Sequence, residues 1–306
     1  SSSDDPSSSS PSPIPQHPLL PTVQAALEKC DRVSVWRLPA EISQSRLGGR
    51  TSPSNACTLI ALQLIELFER RNLHFLSPTQ SRVPLLPLTR SSARALAGAE
   101  SRPAPTACTR YIVGTFVEAM VEGNEAHELA VKARSTKEHN FTIPDAIAAL
   151  QQRHTEIDFC SVAGSLAVHL PRFVRIALRS PSLLPLLRLH FVIIAFERTV
   201  LLVADRRTNS FILLDSHLHG SINMPTTVSS GAVVASAHFS ELAVLAEWMA
   251  EQIFPEMYAH GCVQEFEIST VAYSDGARDC PGEHLGGGFA ASRLPPPTMR
   301  PMPVFA

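Results

Sequence analysis

Three short apolar runs in the second half of the chain constrain the fold most, because each has the length and β-branched composition of a strand. They are His190–Phe196, Thr199–Ala204 and Ser210–Asp215. Two polar residues separate the first pair and five, 205–209, separate the second, which is the spacing of tight antiparallel connections. The pattern therefore predicts a three-stranded meander. Further strands are predicted at Val33–Leu38, Val233–Ala237 and Val263–Ala272.

Helical periodicity dominates the first half of the chain. Apolar residues recur at helical spacing over 54–71, where Ser54 or Asn55 is a natural N-cap and Asn72 suits the C-terminal stop. Helices that precede a meander and cover it predict an α+β fold. The other predicted helices are 107–134 with an interruption near Gly123, 142–154 opening at Thr142, and one capped by Ser240 that ends near Ile253.

Proline marks the parts of the chain that are predicted to stay unpacked. The sequence holds 25 prolines in 306 residues, about 8% against a usual value of roughly 5%. Most of the excess lies in three low-complexity segments, which are the Ser/Pro-rich 1–20, the stretch 77–105 and the Gly/Pro-rich tail 274–306. We therefore expect one folded domain, 21–273, with a flexible insertion at 77–105 and disordered termini.

The charge balance and the cysteines narrow the class of protein. With 26 basic against 28 acidic residues, the chain lacks the basic excess of a nucleic-acid binder. Its most apolar stretch, 183–204, is broken by Pro185 and by charged residues, so it does not predict a membrane span. Six scattered cysteines without a CxxC pair do not form a disulfide framework. No signal peptide opens the chain, and we expect an intracellular location, cytoplasmic or nuclear.

Cys57 is the first candidate for chemistry. It lies in the first turn of the helix predicted over 54–71, where unsatisfied backbone N–H groups and the helix dipole favour an anion. Such a position lowers the pKa of a thiol and makes it a better nucleophile. A free cysteine is more commonly a small core residue, however. Cys57 alone therefore does not define a site.

Asp215-Ser216-His217 ends the meander and is the second candidate. Alternation along a strand places Asp215 and His217 on the same face, about 6–7 Å apart at Cα. A carboxylate beside an imidazole fixes its tautomer and supports the imidazolium formed during catalysis, although the triplet is also an ordinary strand end. Combined with Cys57, it meets the requirements of nucleophilic acyl transfer. His217 would deprotonate Cys57 and later protonate the leaving amine, while Asp215 would orient His217.

An oxyanion donor would complete such a site. Gln44 precedes Cys57 in a Ser/Gly-rich approach, and its amide would donate to the developing oxyanion together with the Cys57 N–H. An exposed loop position for Gln44 is at least an equal alternative. Asn55 is the competing donor, but it also suits the helix cap.

Two segments, Ser54–Thr58 (the Cys box) and Phe211–His217 (the Asp-x-His box), resemble the corresponding motifs of a deubiquitinase family. That family is typified by the N-terminal protease of herpesvirus large tegument proteins and has cellular and bacterial members. The resemblance implies a papain-like cysteine protease fold and cleavage after the C-terminal glycine of ubiquitin, with ubiquitin or ubiquitinated proteins as partners. It also implies Cys57, His217 and Asp215 in the roles above, and Gln44 falls where the family's oxyanion glutamine is expected. The resemblance covers only the folded core, and the insertion 77–105 has no counterpart.

Two other functions stay open at this point. Proteases of ubiquitin-fold modifiers also combine a Cys box with an Asp-x-His box, but their middle residue is typically Pro where this chain has Ser216. The second alternative is an inactive, ubiquitin-binding or scaffold domain of the same fold, against which the intact Cys57, Asp215 and His217 argue. No cofactor or metal is expected. His217 with His219, Cys280–His284 and His127-Glu128 each lack the further ligands that a metal site needs.

Overall fold

A large antiparallel sheet organises the protein, with helices on both of its faces. The computed structural model describes residues 20–73, 107–108, 110–134, 140–150, 153–220, 229–256 and 265–274. Ten β-strands and five α-helices lie within these ranges. The segments predicted to be disordered, 1–20, 77–105 and 274–306, fall outside the described residues except for Leu20 and Ser274.

Eight of the strands form one sheet in the order β2-β3-β9-β8-β7-β6-β10-β5, and every neighbouring pair is antiparallel. The remaining two, β1 and β4, pair with each other. The strands are β1 (Val23–Gln24), β2 (Ala26–Glu28), β3 (Val33–Pro39), β4 (Ala107–Cys108), β5 (His154–Ala163), β6 (Arg188–Ala195), β7 (Arg198–Asp205), β8 (Ser210–Asp215), β9 (Ser230–His238) and β10 (Glu265–Tyr273).

The predicted meander is confirmed as β6, β7 and β8, which pair consecutively. Its strands are buried on both faces, which is why they appear in the sequence as nearly continuous apolar runs. The strands predicted at 33–38 and 233–237 are present as β3 and β9. The one predicted at 263–272 is present as β10, which begins at Glu265.

Helices cover both faces of the sheet, so the prediction that N-terminal helices cover the meander is correct for only one face. Side chains alternate along β7: Leu201 and Val203 face α1, α2 and α3, whereas Val200 and Leu202 face α4 and α5. The helices are α1 (Cys57–Arg70), α2 (Arg110–Arg134), α3 (Ile143–Ala149), α4 (Leu166–Arg179) and α5 (Leu242–Gln252), with 3₁₀ turns at Leu47–Gly49 and Phe239–Glu241.

The predicted helix over 142–154 is wrong in its second half. The helix, α3, ends at Ala149, and His154 begins β5. Strand β5 is rich in β-branched and aromatic residues and pairs along its length with β10, so distant tertiary pairing determines this segment. The start of α3 is correctly predicted, because the Thr142 side chain caps the helix by accepting from the Asp145 N–H at 3.3 Å.

The interruption predicted at Gly123 is also wrong, since α2 runs through this residue. A Cβ at position 123 would lie 2.5 Å from Cγ1 of Ile60 and 2.9 Å from its backbone nitrogen. Gly123 is therefore a point of close contact between α1 and α2 and does not break the helix.

Two helix caps predicted from the sequence, at Ser54 or Asn55 and at Ser240, are not the caps in the structure. Helix α1 begins at Cys57 after Ala56 and has no side-chain cap; instead, the Ser54 hydroxyl accepts from the Ala56 N–H at 3.2 Å. The last helix is preceded by a 3₁₀ turn that His238, not Ser240, caps. None of the helices in the described ranges has the length and apolar character needed to cross a membrane.

Candidate active site

Cys57 is the first residue of α1, and it lies beside the turn that joins β6 to β7. Its side chain is buried, and Sγ lies 3.9 Å from the carbonyl oxygen of Glu197 in that turn. The next residue holds the start of α1 against the sheet, because Oγ1 of Thr58 lies 2.9 Å from Oγ1 of Thr199 on β7. The thiol therefore sits where a helix begins and a hairpin turns, with both elements fixed to each other.

The β6–β7 turn has a strained backbone. Ala195 pairs with Arg198, so the turn consists of Phe196 and Glu197, whose φ angles are 49° and 60°. Positive φ at both central residues matches the twist of a two-residue hairpin. Residues other than glycine adopt it at a cost of about 1–2 kcal/mol each. This strain lies at the turn whose carbonyl faces the thiol, and strained backbone tends to cluster at functional sites.

His217 follows the end of β8 and is held by Asp215. Its Nδ1 lies 2.5 Å from Oδ1 of Asp215, and its backbone N–H donates to the same oxygen at 3.0 Å. Asp215 is fully buried, and a carboxylate can only accept. The contact therefore assigns the proton to Nδ1, which leaves Nε2 for the thiol of Cys57.

The three groups shift one another's protonation. Burial alone would raise the pKa of the Cys57 thiol, but the hydrogen bond and charge of His217, with contacts to Thr199, outweigh burial and lower that pKa. Burial likewise opposes the charge on His217, yet Asp215 raises the pKa of the imidazole to about 10. The pKa of the Asp215 carboxyl is held well below its usual range despite burial, by the charges of His217 and His219. These directions favour a thiolate–imidazolium pair on a charged aspartate.

His219 is a second imidazole against the same carboxylate. Its Nε2 lies 2.9 Å from Oδ2 of Asp215, and its backbone is fixed by a bridge to Ser230. Histidines next to one another raise the question of a metal site. In the part of the chain that the structure describes, no three His, Cys, Asp or Glu side chains are gathered as metal ligands would be.

Gln44 is buried, not exposed on a loop, and its amide is bonded at both ends. Oε1 accepts from the Ser216 hydroxyl at 2.6 Å, and Nε2 donates to the Ser54 carbonyl at 2.7 Å. The backbone N–H of Gln44 also donates to the Ser216 carbonyl at 2.8 Å. Gln44 therefore bridges the segment that leads into α1 and the segment that ends β8, which carry the thiol and the imidazole.

The structure thus brings together the four residues that the sequence singled out: Cys57, His217, Asp215 and Gln44. The competing oxyanion donor Asn55 is exposed. Sequence reasoning missed three side chains around the site: Ser216, His219 as a partner of Asp215, and Asn124. Two of them stand within or beside the Asp-x-His box and had a signal in their position, whereas Asn124 lies in the middle of α2 and had none.

Comparison with known proteins gives little beyond this geometry. No family model matches the sequence, and no curated protein matches it. Among solved structures, it is similar to the crystal structure of the ubiquitin-specific protease encoded by murine cytomegalovirus tegument protein M48 in complex with a ubiquitin-based suicide substrate. The TM-score is 0.44 at 12% identity, over 78% of this chain and 86% of that chain. The likeness is weak and says nothing about the chemistry of the site.

Proposed function

We propose that this protein is a cysteine-type deubiquitinase, a thiol hydrolase that cleaves isopeptide or peptide bonds after the C-terminal glycine of ubiquitin. The observation that carries the proposal is the arrangement of Cys57, His217 and Asp215. A buried carboxylate contacts Nδ1 of the imidazole at 2.5 Å, and the imidazole lowers the pKa of a thiol at a helix N-terminus. Nucleophilic acyl transfer requires this combination of groups.

The first half of the reaction forms a thioester. Nε2 of His217 holds the proton from the Cys57 thiol, and the thiolate attacks the carbonyl carbon of the terminal glycine. The carbonyl oxygen becomes an oxyanion. As the intermediate collapses, the C–N bond breaks and His217 returns the proton to the leaving amine, while Asp215 keeps the imidazole oriented.

The second half releases the glycine carboxylate. His217, now neutral, takes a proton from a water molecule as that water attacks the thioester carbonyl. The C–S bond then breaks and the sulfur leaves as the thiolate, while His217 keeps the first proton of the water. The new carboxylic acid releases its proton to solvent, and the thiolate–imidazolium pair is restored. The same two groups therefore serve both halves, and no external oxidant, reductant or metal takes part in the proton balance.

Gln44 would supply the side-chain donor for both oxyanions. An amide nitrogen carries two hydrogens, and the Ser54 carbonyl engages one of them. The second hydrogen, together with the backbone N–H of Cys57, would form the oxyanion hole. Such donors act in a buried, water-poor setting, where removing one typically costs about a hundredfold to a thousandfold in rate.

The substrate class rests on the resemblance of the Cys box and the Asp-x-His box to those of ubiquitin-specific proteases. The same catalytic groups would cleave the bond after the terminal glycine of another modifier, so the chemistry alone does not select ubiquitin. Ser216 at the middle of the Asp-x-His box differs from the Pro typical of the proteases of ubiquitin-fold modifiers. We therefore favour ubiquitin over those modifiers.

Ubiquitin that carries a C-terminal electrophile tests the proposal directly. We expect it to form a covalent adduct with the protein, and Cys57→Ala to abolish the adduct. Cys30 is exposed and Cys160 is partly exposed, so Cys30→Ser and Cys160→Ser are matched controls that should still be labelled. Labelling that survives Cys57→Ala, or is lost with either control, contradicts the assignment.

A second measurement separates the alternatives. The protein is incubated with isopeptide-linked ubiquitin dimers and with electrophilic probes of other ubiquitin-like modifiers. Deubiquitinase function requires cleavage of a ubiquitin dimer and labelling by the ubiquitin probe. Exclusive labelling by another modifier would change the substrate class, and tight ubiquitin binding without turnover of any linkage would indicate a scaffold.

A further inference from the structure

The orientation of the Gln44 amide depends on residues that surround it. A glutamine amide presents an acceptor on one side and two donors on the other, and rotation by half a turn exchanges them. An oxyanion needs the donor side. The residues that fix the amide are therefore as important to an oxyanion hole as the amide itself.

One contact sets the orientation of the amide, and a second holds its other end. The Ser54 carbonyl oxygen can only accept, so the atom 2.7 Å from it must be Nε2 of Gln44. The opposite atom is then Oε1, and the Ser216 hydroxyl donates to it at 2.6 Å. If the amide turned over, it would place two acceptors against each other at Ser54. The Ser54 carbonyl therefore selects the orientation in which the nitrogen faces the segment that leads to Cys57, and the Ser216 hydroxyl holds the oxygen end of the amide in place.

The backbone of Gln44 is fixed by the same neighbours. Its N–H donates to the Ser216 carbonyl at 2.8 Å, and its carbonyl accepts from Nδ2 of Asn124 at 3.1 Å. Oδ1 of Asn124 in turn accepts from the Ser54 hydroxyl at 2.5 Å. All four residues are at most 9% exposed, so water does not offer an easy substitute for these bonds.

We propose that Ser216 and Asn124 are positioning residues that hold the Gln44 amide with its nitrogen toward the scissile carbonyl. On this view, the middle residue of the Asp-x-His box is not a spacer, because its hydroxyl connects the base to the oxyanion donor. A proline at this position has no hydroxyl and cannot make the connection. The proposal rests on the proposed function, since it assigns a role within that reaction.

Ser216→Ala is the primary test, with Ser216→Thr as the variant that keeps the hydroxyl. The substrate is ubiquitin with a fluorogenic C-terminal amide, and kcat and KM are measured separately. We expect Ser216→Ala to lower kcat by about tenfold to a hundredfold, the range for residues that orient functional groups, with KM nearly unchanged. Ser216→Thr should retain most of the activity.

Ser236→Ala is the matched control for removing a buried hydroxyl. Ser236 is 1% exposed, and its hydroxyl has no hydrogen-bond partner among the described residues. Its substitution should leave kcat unchanged. Asn124→Ala provides a second, independent disturbance of Gln44 and should lower kcat in the same direction as Ser216→Ala, in case either variant is poorly folded.

The rate of Cys57 alkylation by iodoacetamide distinguishes positioning from general damage. In Ser216→Ala this rate and its pH dependence should match those of the unsubstituted protein, because Cys57, His217 and Asp215 are unchanged. Unchanged kcat in both Ser216→Ala and Asn124→Ala would overturn the inference, as would an equal loss of alkylation and turnover. An unsubstituted protein that hydrolyses no modifier would overturn the proposed function and this inference together.

Discussion

His219 lies 2.9 Å, measured from its Nε2, from Oδ2 of Asp215, the carboxylate oxygen opposite the one that His217 contacts. The buried carboxylate thus faces an imidazole at each oxygen, and only one of these imidazoles contacts the thiol. The second one contacts the carboxylate, at the oxygen that His217 leaves free. Its contribution to catalysis should therefore be smaller than that of the aspartate it contacts.

We expect Asp215→Asn to lower kcat by about a hundredfold or more, because an amide cannot hold the same imidazole tautomer. His219→Gln should lower kcat by less than about tenfold, since it removes one contact of the carboxylate but leaves the Asp215–His217 bond. Steady-state hydrolysis of fluorogenic ubiquitin measures both. Equal losses in the two variants would mean that His219 holds the site together, contrary to this ranking.

The alkylation of Cys57 should persist to lower pH than that of an ordinary thiol. Its thiol pKa lies below the ordinary value of 9.0, so the rate of reaction with iodoacetamide should reach half its maximum below that pH. Removing the imidazole in His217→Ala leaves only the contacts to Thr199 to oppose burial, so the pKa of the thiol rises and the midpoint shifts upward. Replacing the five other cysteines by serine provides the background in which only the Cys57 reaction is followed; these are Cys30, Cys108, Cys160, Cys262 and Cys280.

The basic side of the pH profile reports on His217. Its pKa is raised to about 10, and the imidazolium must protonate the leaving amine. The ratio kcat/KM should therefore stay high as pH passes the ordinary histidine value of 6.5 and should fall only as pH approaches about 10. A decline centred near pH 6.5 would contradict the ion pair.

Gly231 is expected to be essential for the position of Gln44. A Cβ at this residue would lie 2.1 Å from the carbonyl oxygen of Pro39 and 2.4 Å from that of Ile42. These are backbone atoms, which cannot rotate away as the end of a flexible side chain can. Gly231→Ala should therefore displace the segment 39–44, which carries Gln44. We expect a loss of kcat and a drop of about 1–3 kcal/mol in the free energy of unfolding. Urea denaturation and turnover measure the two effects.

Gly123 and Gly114 of α2 form a matched pair for helix packing. Gly123→Ala would place its Cβ against Ile60, within 2.9 Å of the backbone of α1, and should destabilise the fold by about 1–3 kcal/mol. Gly114→Ala meets only the end of the Leu20 side chain, at 3.2 Å. Because alanine favours helix over glycine by about 1 kcal/mol, this variant should be neutral or stabilising. Thermal melting of both variants checks the contrast.

The buried pair of Arg188 and Asp205 should matter for stability and not for catalysis. Nε of Arg188 lies 3.1 Å from Oδ2 of Asp205, and the guanidinium also donates to carbonyls at the end of α1, including that of Phe68. Arg188→Met removes the cation beside a fully buried carboxylate, which typically costs about 3–5 kcal/mol. We expect a lower melting temperature, with unchanged kcat at temperatures where the variant is folded.

Local sequence patterns were sufficient for the elements whose structure is set by their own residues. The β6–β8 meander and the body of α1 follow from apolar runs and turn residues that are neighbours in the chain. Strand alternation predicted that Asp215 and His217 would meet, but β8 ends at Asp215, and a local turn in which the His217 N–H donates to Asp215 brings them together. These features needed no knowledge of what packs against them.

Most of the features that sequence reasoning missed depend on distant partners. Strand β5 forms because it pairs with β10, and α4 contains Pro171, which obscures a helical pattern. Gly123 resembles a helix breaker until the approach of Ile60 is known. Gln44 is buried against Ser216 and Asn124, which are distant in the sequence, so no local pattern predicts its burial.

The hydrogen bond between Ser216 and Gln44 joins residues that are 172 positions apart in the sequence. During synthesis, Cys57 and Gln44 leave the ribosome long before residues 215–217 have been made. Until then the thiol has no base and the glutamine amide has no partner at its oxygen, so the nascent chain carries a cysteine of ordinary reactivity. A product that ends before β8 would therefore lack both the imidazole beside the thiol and the partner of the Gln44 oxygen.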